Sequence, residues 1–118
     1  MSKSKRPSTF ILGVFKWRIH YLDIEHENFG ETLMDTREIN IIIRNKSEQV
    51  IKDTLLHECL HVCFEDIIDT TSKIELSSGI IEEQIVRLFT PRLHSLLSDN
   101  PKLRDYIFQK PIDSPKKL

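Results

Sequence analysis

From Phe15 to Leu22 apolar and polar side chains alternate, with Phe15, Trp17, Ile19 and Tyr21 on one side and Lys16, Arg18 and His20 on the other. A period of two marks a strand with one buried face. The aromatic and β-branched residues before it extend the segment back to Thr9, with Gly13 as a bulge or as the strand's true start. Residues 23–29 are acidic and polar and read as a loop. Residues 30–35 suit a short second strand, and Asp35-Thr36 suits a turn. Residues 37–44 then set Ile39, Ile41 and Ile43 on one face. This is the clearest strand in the chain, and it is expected to pair with the one before it.

The period changes at Asn45. Asn45 or Ser47 can cap a helix that runs without Pro or Gly to about Phe64. Leu55, Leu56, Cys59, Leu60, Val62 and Cys63 surround most of it, so it is expected to be buried. Glu65, Asp66 and Asp69 are unfavourable at the negative end of a helix dipole, which places the helix end near Phe64 and a loop over 65–79. A second helix follows over about 80–97, kinked or divided by Pro91. Its inner face is Ile85, Val86, Phe89, Leu93, Leu96 and Leu97. Ser98-Asp99-Asn100-Pro101 starts a short last helix that ends before Pro111. The expected fold is α+β: a small twisted, antiparallel-rich sheet packed on a buried helix, with a second helix and a short C-terminal one.

A chain of 118 residues holds one compact domain, assigned here to residues 9–109. Residues 1–8 and the basic stretch 110–118 read as disordered tails, rich in Lys, Pro and Ser. The formal net charge of -1 argues against nucleic-acid binding by the whole molecule. No apolar run is long enough to span a membrane and no signal peptide is visible. Cys59 and Cys63, four apart on one helix, have poor geometry for a disulfide and read as reduced core thiols. A cytoplasmic location is the resulting expectation.

The chemistry-bearing segment is His57-Glu58-Cys59-Leu60-His61, an HExxH pattern on the buried helix. Histidines four apart project from one face, so both imidazoles can converge on one Zn²⁺ with bonds of about 2.0–2.1 Å. A glutamate beside the first can reach a water on the metal and take its proton. Cys59 lies on the opposite side of the helix and is not expected to be a ligand. A third histidine six residues after the second is excluded, because position 67 is Ile67 and the glycine of that longer pattern is replaced by Phe64. A carboxylate from the second helix is the alternative. Glu82 sits three and four residues before Ile85 and Val86 on the inner face, whereas Glu83 is turned about 100° toward Arg87 and solvent. Glu82 is preferred and Glu83 stays open. His20, Tyr21, His26, His94 and Tyr106 are all available to stabilise an oxyanion, with none preferred. Residues 39–44 read either as an edge strand that pairs with an extended peptide or as an ordinary sheet strand.

Residues 54–61, Thr-Leu-Leu-His-Glu-Cys-Leu-His, followed by Ile81-Glu82-Glu83-Gln84-Ile85-Val86, resemble the small zinc peptidases of the gluzincin type. The resemblance is closest to SprT-like and ImmA/IrrE-like minimal domains and the short peptidase-like proteins often encoded by phages, and it covers roughly residues 10–97. It implies zinc ligated by His57, His61 and Glu82, with Glu58 as the base. The chain reads Val86-Arg87-Leu88-Phe89-Thr90 where the ImmA/IrrE pattern has Ala-Asn-x-Phe-Ala. The expected activity is hydrolysis of a peptide or protein substrate by a zinc metallo-endopeptidase, with room for a partner protein that presents the substrate. The alternative is an inactive, zinc-stabilised binding or regulatory protein, such as a phage accessory factor.

Overall fold

The computed structural model describes residues 5–70 and 78–109, with the side chains of 68–70 and 78–82 outside that description. Its elements are β1 (Thr9–Leu12), β2 (Phe15–Leu22), β3 (Gly30–Leu33), β4 (Glu38–Ile42), α1 (Glu48–Thr70), α2 (Ser78–Ser98) and α3 (Pro101–Phe108). The fold is α+β with one mixed four-stranded sheet in the order β1-β2-β4-β3.

Alternation sorts the strands onto faces as expected. Phe10, Leu12, Trp17, Ile19, Ile39 and Ile41 form the sheet side of the core, and Phe10 stacks on Trp17 with ring centroids 5.9 Å apart. The segment expected to be one strand over residues 9–22 is a hairpin. Leu12 pairs with Phe15 across a two-residue turn, and Gly13 takes φ +64°, a conformation that favours glycine. β3 and β4 pair antiparallel through a turn at residues 34–37, as the sequence predicts. β2 and β4, however, run parallel, with Ile19 opposite Ile39 and Tyr21 opposite Ile41. β4 is therefore held on both sides, which removes residues 39–44 as an edge for an incoming peptide. The strand with a hydrogen-bonded neighbour on only one side near α1 is β3.

α1 starts at a Ser47 cap, whose hydroxyl oxygen accepts the Val50 N–H at 3.2 Å, while Asn45 sits in the left-handed region at φ 61°. The helix continues past Phe64 to Thr70, six residues beyond the sequence expectation. Two contacts offset the unfavourable dipole. Ile67 is fully buried, and Asp66 accepts from Arg92 of α2 at 2.6 Å. α2 runs through Pro91 as a single helix. Its buried stripe centres on Leu96, with Phe89 and Leu93 partly covered, whereas Val86 is 54% exposed and does not belong to the inner face. α3 contributes Leu103 and Tyr106 to the core.

Residues 5–8, part of the stretch that composition reads as a tail, are packed. Pro7 is buried and its carbonyl accepts the Tyr21 hydroxyl at 2.8 Å. Arg6 donates twice to Glu48, at 2.9 and 3.1 Å, and the Tyr106 hydroxyl donates to the same carboxylate. Residues 1–4 and the basic stretch 110–118 lie outside the described residues. Among the described residues no helix is long and apolar enough to cross a membrane.

Asn100 closes the outer edge of β1. Its side-chain oxygen accepts the Ile11 N–H at 2.8 Å, and its amide donates to the carbonyls of Ile11 at 2.8 Å and Leu96 at 2.9 Å. Asn100→Ala leaves these groups without partners, at a cost of roughly 2–4 kcal/mol. Urea unfolding followed by the fluorescence of Trp17, the single and buried tryptophan, measures that loss.

Candidate metal centre

α1 packs on α2, α3, β3 and β4 but keeps one side open to water, so it is not buried all round as its apolar residues predict. His57 and His61 fall on the open side and both are exposed. Their Nε2 atoms stand 3.2 Å apart, with ring centroids at 4.7 Å and planes at 83°. At that separation either one ring donates to the other or both lone pairs address a shared cation. Two nitrogens on one tetrahedral zinc, at bonds of about 2.0–2.1 Å, stand roughly 3.3–3.4 Å apart. The two imidazoles thus fit the spacing a zinc ion demands.

Glu58 lies about 100° around the helix from His57, toward the sheet, and is only 6% exposed. Its Oε1 accepts a hydrogen bond from the Thr32 hydroxyl of β3 at 2.6 Å, the polar partner that a buried carboxylate requires. β3 brings Gly30 and Thr32 onto the face toward α1, opposite Ile41 and Ile39 of β4. Gly30 has to be small here. A Cβ at this position would stand 2.9 Å from Thr54 Cγ2, 3.1 Å from the Asn40 carbonyl oxygen and 3.3 Å from Glu58 Cγ. Neither Thr32 nor Gly30 stands out in the sequence, because both sit in a short strand whose neighbours only the fold defines.

A cleft of about 510 Å³ opens beside this pair. Asn28, Phe29 and Gly30 line it from the loop and β3, and Val50, Asp53, Thr54, His57 and Glu58 line it from α1. Val50, Asp53, Thr54 and His57 recur at spacings of three and four, so they share one side of the helix, and that spacing is the signal that could have marked Asp53.

No third His, Cys, Asp or Glu joins the pair among the described residues. The side chain of Glu82 lies outside them, although position 82 is within α2. Glu83 is exposed and pairs with Arg87 at 3.3 Å, as its outward register predicts. Cys59 and Cys63 are free, fully buried thiols in the core. Burial pushes Cys63 up to about 11 and Cys59 further still, so both remain protonated at neutral pH.

The five residues considered as oxyanion donors are dispersed. Tyr21 and Tyr106 are bonded to Pro7 and Glu48, and His20 lies 3.4 Å from Glu38. His94 is exposed on α2. His26 accepts the Asn28 N–H at 3.0 Å, which makes it the one of the five tied directly to a residue of the cleft.

No family model, curated protein or solved structure matches this chain.

Two outcomes follow from this packing. Gly30→Ala should destabilise the fold by about 1–3 kcal/mol, and adding Thr54→Ser, which removes the Cγ2 in closest approach, should restore part of it; thermal melts of the single and double variants test this. Cys59 and Cys63 should resist a thiol reagent at pH 8 in the native protein and both react after denaturation. Rapid labelling of folded protein would contradict their placement.

Proposed function

We propose that this chain is a zinc metallopeptidase domain of the gluzincin type, close in kind to the SprT-like and ImmA/IrrE-like minimal domains, acting on a peptide or protein substrate. The observation that carries the reading is the division of labour across one turn of α1. His57 and His61 bring two nitrogens to a zinc-compatible 3.2 Å on the open side, while Glu58, about 100° around the helix, is held by Thr32 and lines the same cleft as His57. A site serving structure alone has no use for a buried carboxylate between its ligands.

His57, His61 and Glu82 would hold the metal. The stripe Ile85, Phe89, Leu93 and Leu96, extended back by one turn, passes through position 82 and leaves Glu83 outside. Bound there, zinc would supply Lewis-acid polarisation of the scissile carbonyl and lower the pKa of a water. The protein's own part is proton transfer. With Oε1 engaged by Thr32, Oε2 of Glu58 would be the oxygen left to take a water's proton and return it to the leaving amine. The Thr32 hydrogen bond fixes the carboxylate plane, and Gly30 lets β3 approach closely enough to make it.

Metal analysis and peptide cleavage on the same variants separate the roles. Glu58→Gln should keep about one zinc per chain and lose cleavage by about 10²- to 10⁴-fold. Glu82→Gln should lose zinc first and activity as a consequence, whereas Glu83→Gln should change neither. If Glu58→Gln preserves every function while zinc removal unfolds the domain, the site is structural and the protein acts by binding.

A further inference from the structure

We infer that the cleft beside the proposed zinc site selects a substrate side chain with an apolar stem and a cationic head, lysine or arginine, and that Asp53 is the residue that reads the charge. This rests on the peptidase reading for its place in catalysis.

Four observations carry it. Asp53 precedes His57 by four residues on the same side of α1, about 6 Å along the axis, within the length of an extended lysine or arginine side chain. The cleft lining contains no Lys or Arg, and its carboxylates are Asp53 and Glu58. Glu58 is buried and committed to Thr32, whereas Asp53 is exposed and hydrogen-bonded only at Oδ1, by Gln49 at 3.0 Å, among the described contacts. The apolar part of the lining is Phe29, 52% exposed, and Val50, a surface suited to methylenes. The Lys46 ammonium already stands 4.6 Å from the Phe29 ring centroid, so the charged head is assigned to Asp53 and not to this ring.

A volume of about 510 Å³ admits a long side chain together with adjacent backbone. A glutamate in the cleft would stand beside like charge. A leucine would cover Phe29 and Val50 but would give the Asp53 carboxylate no cationic partner.

The test uses zinc-loaded, full-length Glu58→Gln protein as a non-cleaving trap, with alanine heptapeptides whose central residue is Lys, Arg, Leu or Glu. Titration calorimetry should show Lys and Arg peptides binding about 3- to 10-fold tighter than Leu or Glu peptides, the size of a partly screened ion pair plus stem contact. That margin should shrink as salt is raised. Adding Asp53→Asn should remove the preference, and adding Asp53→Lys should turn it toward the Glu peptide. Cleavage of the same peptides by wild-type protein is the second arm. Preference with no cleavage supports the cleft assignment and overturns the peptidase reading. Equal binding of all four peptides, a preference for Leu, or a Lys preference that survives Asp53→Asn overturns the inference, whatever the cleavage. Absence of binding by every peptide overturns it as well.

Discussion

A carboxylate buried between a helix and a sheet needs a partner, and the geometry of this domain depends on how Glu58 finds one. Left without a donor, such a group costs several kcal/mol. The Thr32 hydroxyl at 2.6 Å supplies the bond, and with it fixes both the rotation and the height of α1 over β3. His57 has no separate freedom, because it is the preceding residue, about 100° around the helix. With Glu58 turned inward, His57 and His61 emerge on the open side and Cys59 and Leu55 enter the core. Rotating α1 by one residue would strand a charge in the core and expose Cys59. The histidine pair therefore inherits its position from the packing of its neighbour.

The helix is anchored differently at its two ends. At the first turn, Glu48 accepts from Arg6 and Tyr106, joining the N-terminal segment and α3 to α1. Toward the last turns, Asp66 meets Arg92 of α2 beside buried Ile67. Both are long-range pairings between charged residues and neither contributes to the cleft. They hold Tyr106, and Tyr21 beneath Arg6, in contacts outside the cleft lining.

Local periodicity made much of this legible in the sequence. The shared face of His57 and His61, the inward strand residues Trp17, Ile19, Ile39 and Ile41, and the outward Glu83 follow from spacing, whereas the openness of the histidine face does not. The rest depends on partners distant in sequence. Alternation tells which face a residue occupies but not which strand lies beside it, so the parallel pairing of β2 with β4 was hidden. The continuation of α1 to Thr70 was hidden for a related reason. A dipole argument sees Asp66 but not the arginine 26 residues later that neutralises it. Gly30 and Thr32 carry no motif, and only the approach of β3 to α1 gives them meaning.

The distribution of apolar contact along α2 bears on why a zinc ligand would come from its first turns. Leu96 is fully buried, Leu93, Phe89 and Ile85 are partly so, and Val86 is more than half exposed. Among the described side chains of α2, the one fully buried lies near its C-terminal end. On the zinc reading, a bond from Glu82 to a metal already held by His57 and His61 would supply a tie at the other end. Metal binding and the docking of α2 would then be one event, because the third ligand has its place only when the helix is seated. The domain would complete its active site by completing its fold, which suits a chain too short to support the two separately.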